Sequence, residues 1–225
     1  MANRFSRQAP SPRYRRLIEQ YQLMHTQGEV HLGIPPEETF PGKSLPKQAP
    51  HIKRLIKQTG AKTVLDYGCG KGQQYRGYRI RDDAEGIEYA DIKSYWGVDH
   101  VQCYDPGYAP FTQLPTGKFD GVICTDVLEH CPEEDIPWIL VELFSYSSRF
   151  VFANVACFPA SKRLPSGGNA HCTIRPIKWW QDEIERAART NPGAAYEFRL
   201  AHIKGGEMKE RTISGSSTRA SADAS

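Results

Sequence analysis

The sequence has little surplus charge of either sign, no closely spaced cysteine pair and no long apolar run, and each absence removes a class of protein. Its 29 Lys and Arg against 26 Asp and Glu leave a formal charge of +3 over 225 residues. That is not the dense basic stripe with which a dedicated nucleic-acid binder displaces counterions, so nucleic acid is disfavoured as a partner. The six cysteines, Cys69, Cys103, Cys124, Cys131, Cys157 and Cys172, never fall into CxxC spacing. Several lie in apolar strand-like runs where a thiol behaves as a small buried hydrophobe, so reduced core cysteines are expected rather than disulfides or a zinc site. No stretch approaches the roughly 18 apolar residues of a spanning helix, and no apolar segment follows the Arg-, Ser- and Pro-rich beginning. A soluble cytoplasmic protein with no membrane partner is the expectation. The length fits one domain around one core, with no internal repeat.

What is present divides the chain into four parts. Residues 1–13 and 214–225 hold turn formers and small polar residues without apolar periodicity, the composition of unfolded arms. In residues 14–60, Leu17, Tyr21 and Met24 recur beside Ile18 at helical spacing and predict a helix to residue 26. Residues 28–50 carry five prolines and three glycines and read as a long loop, a candidate lid. Pro50 then opens a second helix with Ile52, Leu55 and Ile56 on one face and Gly60 as its stop. In residues 61–213 strands and helices alternate: strands at 63–65, 98–104, 119–125 and 150–155, helices at 135–146 and 176–189, and a hairpin around Gly205-Gly206. This is an α/β pattern, a doubly wound, mostly parallel sheet with an antiparallel edge, whose ligands lie beyond the carboxyl ends of the strands.

Chemistry concentrates in three blocks. In LDYGCGKG, residues 65–72, Gly68 and Gly70 let the backbone turn and approach a ligand, Gly72 permits close packing at the start of a helix, and Asp66 at the strand end offers a carboxylate to an ammonium. Asp105-Pro106 ends the next recognisable strand, where an acid can accept both hydroxyls of a ribose. It stands 33 residues after Gly72 rather than about 20, so an insertion must fill part of residues 76–97; Glu85 or Glu88 are the substitutes if the register differs. In FDGVICTDVLEH, residues 119–130, Asp126, Glu129 and His130 fall at i, i+3 and i+4, an acid-base cluster on one helical face, although acids also simply favour helix N-termini. In the third block, residues 169–176, His171 precedes a proline and the helix of Trp179 and Trp180, only one of which can point fully inward. His171 is a candidate base because imidazole titrates near neutral pH; a solvated loop histidine is the alternative.

GxGxG with an acid two positions before the first glycine, followed by Thr125-Asp126 and Glu129-His130, resembles class I S-adenosylmethionine-dependent methyltransferases, particularly the branch acting on small molecules such as quinone precursors. The resemblance covers residues 61–213. It implies the Rossmann-like fold and S-adenosyl-L-methionine as cofactor, held by Asp66, Tyr67, Gly68, Cys69, Gly70, Gly72, Asp105, Pro106, Thr125, Asp126 and Val127. It also implies a small-molecule substrate methylated on oxygen or nitrogen beside Glu129, His130 and His171, with no metal. Tyr21, Phe40 or Tyr67 are the aromatics available to a sulfonium, and Phe111 or Thr112 the candidates for contact with the adenine. DNA adenine methylation is disfavoured, since Thr125-Asp126-Val127-Leu128 stands where those enzymes carry Asn/Asp-Pro-Pro-Tyr or -Phe. Two other readings stand beside this one. Asp126, Glu129, His130 and His171 also resemble the divalent-metal set of small-RNA terminal 2′-O-methyltransferases, and the chain could be a noncatalytic cofactor-binding subunit.

Overall fold

The computed structural model describes residues 4–215. Its centre is a six-stranded sheet in the order β4-β1-β5-β6-β7-β8, formed by β1 (Thr63–Tyr67), β4 (His100–Tyr104), β5 (Phe119–Thr125), β6 (Ser147–Ala156), β7 (Ala195–Lys204) and β8 (Glu207–Gly215). All pairs are parallel except β7 with β8, the antiparallel edge expected around Gly205-Gly206. From β1 the chain moves outward to β4 and then returns to β5 on the other side of β1. That reversal opens a crevice at the carboxyl ends of the strands.

Both faces of the sheet are covered. One carries α4 (Ile136–Tyr146) and α5 (Ile177–Ala188) over Leu65, Val122, Val151 and Phe198. The other carries α2 (Ser44–Thr59) and α3 (Ile92–Trp96) over Val64, Ile123, Phe150 and Phe152. Of the tryptophan pair, Trp180 is fully buried and Trp179 half-buried. All six cysteines are free thiols, and no helix among the described residues is long and apolar enough to cross a membrane.

Three features refine the sequence reading. Helix α2 begins at Ser44, not Pro50, because Leu45 and Ala49 extend the buried stripe of Ile52 and Ile56 by a turn. The insertion anticipated between Gly72 and Asp105 is a hairpin, β2 (Ile80–Asp82) with β3 (Ile87–Tyr89), followed by α3. Lys53 from α2 ties it down by an ion pair to Asp82 at 2.7 Å. No long helix follows Gly72, only the 3-10 turn Gln73–Tyr75, which Arg76 ends by donating its amide to Gln73 O.

The expectation of an unfolded arm over residues 1–13 is corrected for residues 4–13. Ser11 caps α1 (Pro12–Gln27) by accepting from Tyr14 N at 3.0 Å, and its own amide donates to Asp135 Oδ1 at 3.0 Å. Arg7 is sequestered: it pairs with Glu142 (Nε to Oε1, 2.8 Å), donates to the hydroxyls of Tyr67 and Tyr104, and lies 4.8 Å over the Trp138 ring. Residues 216–225 of the expected C-terminal arm lie outside the described residues, and Ser214 belongs to β8.

Candidate active site

A cavity of about 440 Å³ opens at the carboxyl ends of β1, β4 and β5. Asp66, Tyr67, Gly68, Cys69, Gly70, Asp105, Pro106, Thr125, Asp126, Val127 and His130 line it; Gly72, Glu129 and His171 do not. The glycine loop is built for close approach. Gly68 has φ 84°, and a Cβ on it would meet Val127 Cγ2 at 2.4 Å. Gly72 serves packing instead, against Cys103 and Phe111.

Asp66 is buried and only half satisfied. Its Oδ2 accepts from the Tyr75 hydroxyl at 2.8 Å, while Oδ1 has no partner. Burial pushes this carboxyl up to about 7, against the opposing Tyr75 hydrogen bond. Such a group is stabilised by a cation in the cavity. Asp105 holds the loop in shape: Oδ2 accepts from Gly70 N and Oδ1 from Gly107 N, each at 2.8 Å. Burial still leaves its carboxyl above the usual range. The substitutes do not reach the cavity, for Glu85 pairs with Lys53 and Lys57, and Glu88 with Arg79. Phe111 and Thr112 are outside the lining, and the Tyr67 hydroxyl is taken up by Arg7 and Glu142.

At the other end of the cavity the turn after β5 gathers the polar cluster. Asp126 has φ 61°, a left-handed conformation that Asp tolerates better than most residues but that still costs energy and marks functional turns. The 3-10 turn Leu128–His130 then buries Glu129 completely. Its Oε1 accepts from Ala156 N at 2.7 Å and its Oε2 has no partner. Burial, and then the neighbouring Asp126 charge, hold the Glu129 carboxyl far above the usual range. One ligand atom each of Asp126, Glu129 and His171 lie within 4.8 Å of one another.

The two imidazoles are oriented by backbone carbonyls. His171 Nδ1 stands 2.6 Å from Phe158 O, and His130 Nδ1 stands 2.9 Å from Ala170 O. So close to a carbonyl, His171 Nδ1 carries the proton, which leaves the lone pair on Nε2, while His130 Nδ1 also stands 3.0 Å from the Tyr21 hydroxyl. The rings meet edge to face at 4.8 Å, and burial, reinforced by His171, pushes His130 down to about 4, so it is neutral at physiological pH. Two carboxyl groups and an imidazole therefore converge, with the Lys162 charge acting on Asp126 and His130. This set can move a proton or hold a hard divalent ion through oxygen and imidazole.

The remaining wall comes from residues that the sequence reading treated mainly as core or loop. Tyr14, Leu17, Ile18, Tyr21 and His25 form one face of α1 and line the cavity. Their helical spacing is the same signal that a core face gives, so periodicity alone cannot separate lining from packing. Phe40 and Lys43 from the 28–43 loop close the opposite side. That loop is fixed to the glycine segment by Lys71 Nζ on Pro36 O and Gln74 Nε2 on Pro41 O. Phe40 is held at φ 54° with its ring 5.8 Å from that of Tyr21, and Lys162 lies 4.8 Å over it. Lys162 and His25 carried no motif and were missed.

Compared with known proteins, residues 44–164 match a family model described as a methyltransferase domain. That segment runs from α2 through the glycine loop to His130 and β6, and leaves α1 and His171 outside it. No curated protein matches the chain.

Proposed function

The chain belongs to the methyltransferase-domain family of the class I fold, and from this premise we propose S-adenosyl-L-methionine as its methyl donor and an oxygen or nitrogen of a small metabolite or sugar as its acceptor. One observation carries the donor: buried Asp66, shortly before the glycine turn, has a carboxylate oxygen with no partner among the described residues. An α-ammonium satisfies that oxygen, and Gly70 keeps the backbone beside it free of a side chain. When bound, the donor supplies an electrophilic methyl on its sulfonium.

The chain's own residues account for the rest. Asp105 keeps Gly70 aligned and is the acid available to ribose hydroxyls. The faces of Tyr21 and Phe40 suit a cationic centre. His171 Nε2, with its tautomer fixed by Phe158 O, takes the proton from the acceptor. Holding the two reactants together accounts for much of the rate enhancement in such transfers. The test begins with calorimetric titration of S-adenosylhomocysteine; lack of saturable binding overturns the donor. Methyl-labelled donor is then offered with fractionated small molecules and with RNA. Label in the small-molecule fraction supports this acceptor class, and label in RNA alone overturns it.

A second reading is favoured by Glu129, whose Oε2 has no partner among the described residues and one of whose oxygens lies within 4.8 Å of ligand atoms of Asp126 and His171. These residues fit a divalent ion, with His130 beside them, in an RNA 2′-O-methyltransferase. Such an ion would lower the pKa of an acceptor hydroxyl. Activity that survives EDTA removes this reading.

A further inference from the structure

A second cavity, of about 470 Å³, shares the lining residue Leu17 with the first. Arg13, Arg16 and Gln20 stand at i, i+3 and i+7 along one stripe of α1 and form one wall. The loop of Ser166 and Gly168 forms the other, with Ser166 N donating to Gln20 Oε1 at 3.1 Å, and His171 contributes to the lining between them. Among the described residues no carboxylate lines this cavity. Among the described residues Arg16 makes no ion pair, and Arg13 reaches only Glu134, at 4.0 Å with both side chains substantially exposed. An exposed pair at that distance leaves the guanidinium free for a better partner.

We propose that this second cavity docks the acceptor, holding a phosphate ester between Arg13 and Arg16 while the group to be methylated reaches His171. Paired guanidinium forks match the oxygens of a phosphate better than any neutral group, and two of them match its double charge. The connection to the reaction is His171 itself. It lines this cavity, while its ligand atom lies within 4.8 Å of that of Asp126, which lines the other. This rests on the first cavity being the donor's. It narrows the acceptor to a phosphorylated compound, whether a free sugar phosphate or the end of an RNA chain.

The test uses the full chain saturated with S-adenosylhomocysteine, so failure of the donor reading registers first and separately. Inorganic phosphate is titrated by calorimetry into the wild type and the R13Q/R16Q double variant. Saturable millimolar binding that weakens about tenfold or more in the variant supports the site, provided S-adenosylhomocysteine affinity is unchanged. Absence of saturable binding to the wild type, or equal binding to both proteins, overturns it. An R13K/R16K variant, which keeps the charge but not the fork, should bind phosphate with intermediate affinity, and guards against misreading a folding defect. Ribose 5-phosphate and a short RNA, compared on the same three proteins, distinguish the two sources: the natural one binds more tightly than inorganic phosphate and loses that advantage in R13Q/R16Q.

Discussion

A Cβ on Gly68 would stand 2.4 Å from Val127 Cγ2, so the loop after β1 and the turn after β5 interlock across the floor of the cavity. Gly68→Ala suffers twice, from this overlap and from φ 84°. A loss of about 2–4 kcal/mol in unfolding free energy is expected, with S-adenosylhomocysteine affinity reduced at least about tenfold. Val127→Ala on the same background removes the overlap but not the backbone strain. It should restore part of the stability, as chemical denaturation will show; additive losses would mean that the two turns do not touch.

The Asp66 carboxyl, raised to about 7 by burial, makes donor binding pH-dependent. An ammonium needs the ionised form, so binding displaces a proton whenever the free protein holds one. Affinity for S-adenosylhomocysteine should be flat above pH 7 and fall by up to about tenfold per unit below it. Stability of the free protein runs the opposite way. The folded value lies above the ordinary 3.8, so this group's contribution is full below that value and is lost as pH rises through 7. Asp66→Asn should bind more weakly with a flat profile; a profile unchanged by the substitution would assign the titration elsewhere.

How far the sequence foretold these features depends on the range of the interaction. Residues 65–72 and 119–130 each carry their geometry locally, in glycines that need positive φ and acids at strand ends, and the sheet between them follows from alternating periods. Arg7 was not legible, because its partners Tyr67, Tyr104 and Glu142 are distant in sequence and an isolated arginine among turn formers looks like a solvated arm. The face of α1 was legible as apolar but not as cavity wall. That distinction depends on what packs opposite Tyr21 and His25, and what packs there is the 28–43 loop. His171 was picked out for its imidazole, yet the feature that fixes its tautomer is Phe158 O, which no side-chain pattern encodes.

Arg7 should matter to stability out of proportion to its position near the chain terminus. Removing it leaves Glu142 sequestered with only the Tyr67 hydroxyl, a mostly buried charge without its counter-charge. Arg7→Ala is expected to cost about 3 kcal/mol, and a double-mutant cycle with Glu142→Ala should return much of it. Thermal unfolding measures both. A change within about 0.5 kcal/mol, the range of an ordinary surface substitution, would show that the arm is not docked in solution.

Glu129 separates the two readings of the polar cluster without reference to turnover. If Asp126, Glu129 and His171 hold a divalent ion, Mn²⁺ at about a hundredfold its Kd adds about 2.7 kcal/mol, and the thermal midpoint rises by roughly 5–10 °C for a chain of this size. Glu129→Gln should abolish that rise. In EDTA the same variant should be as stable as the wild type or more so, because the amide oxygen still accepts from Ala156 N and no second carboxylate faces Asp126. A wild-type midpoint indifferent to Mn²⁺ would leave the cluster as a proton-holding network. Catalysis would then rest on His171 as base, and His171→Ala should lower turnover by about 10²-fold or more with S-adenosylhomocysteine affinity intact.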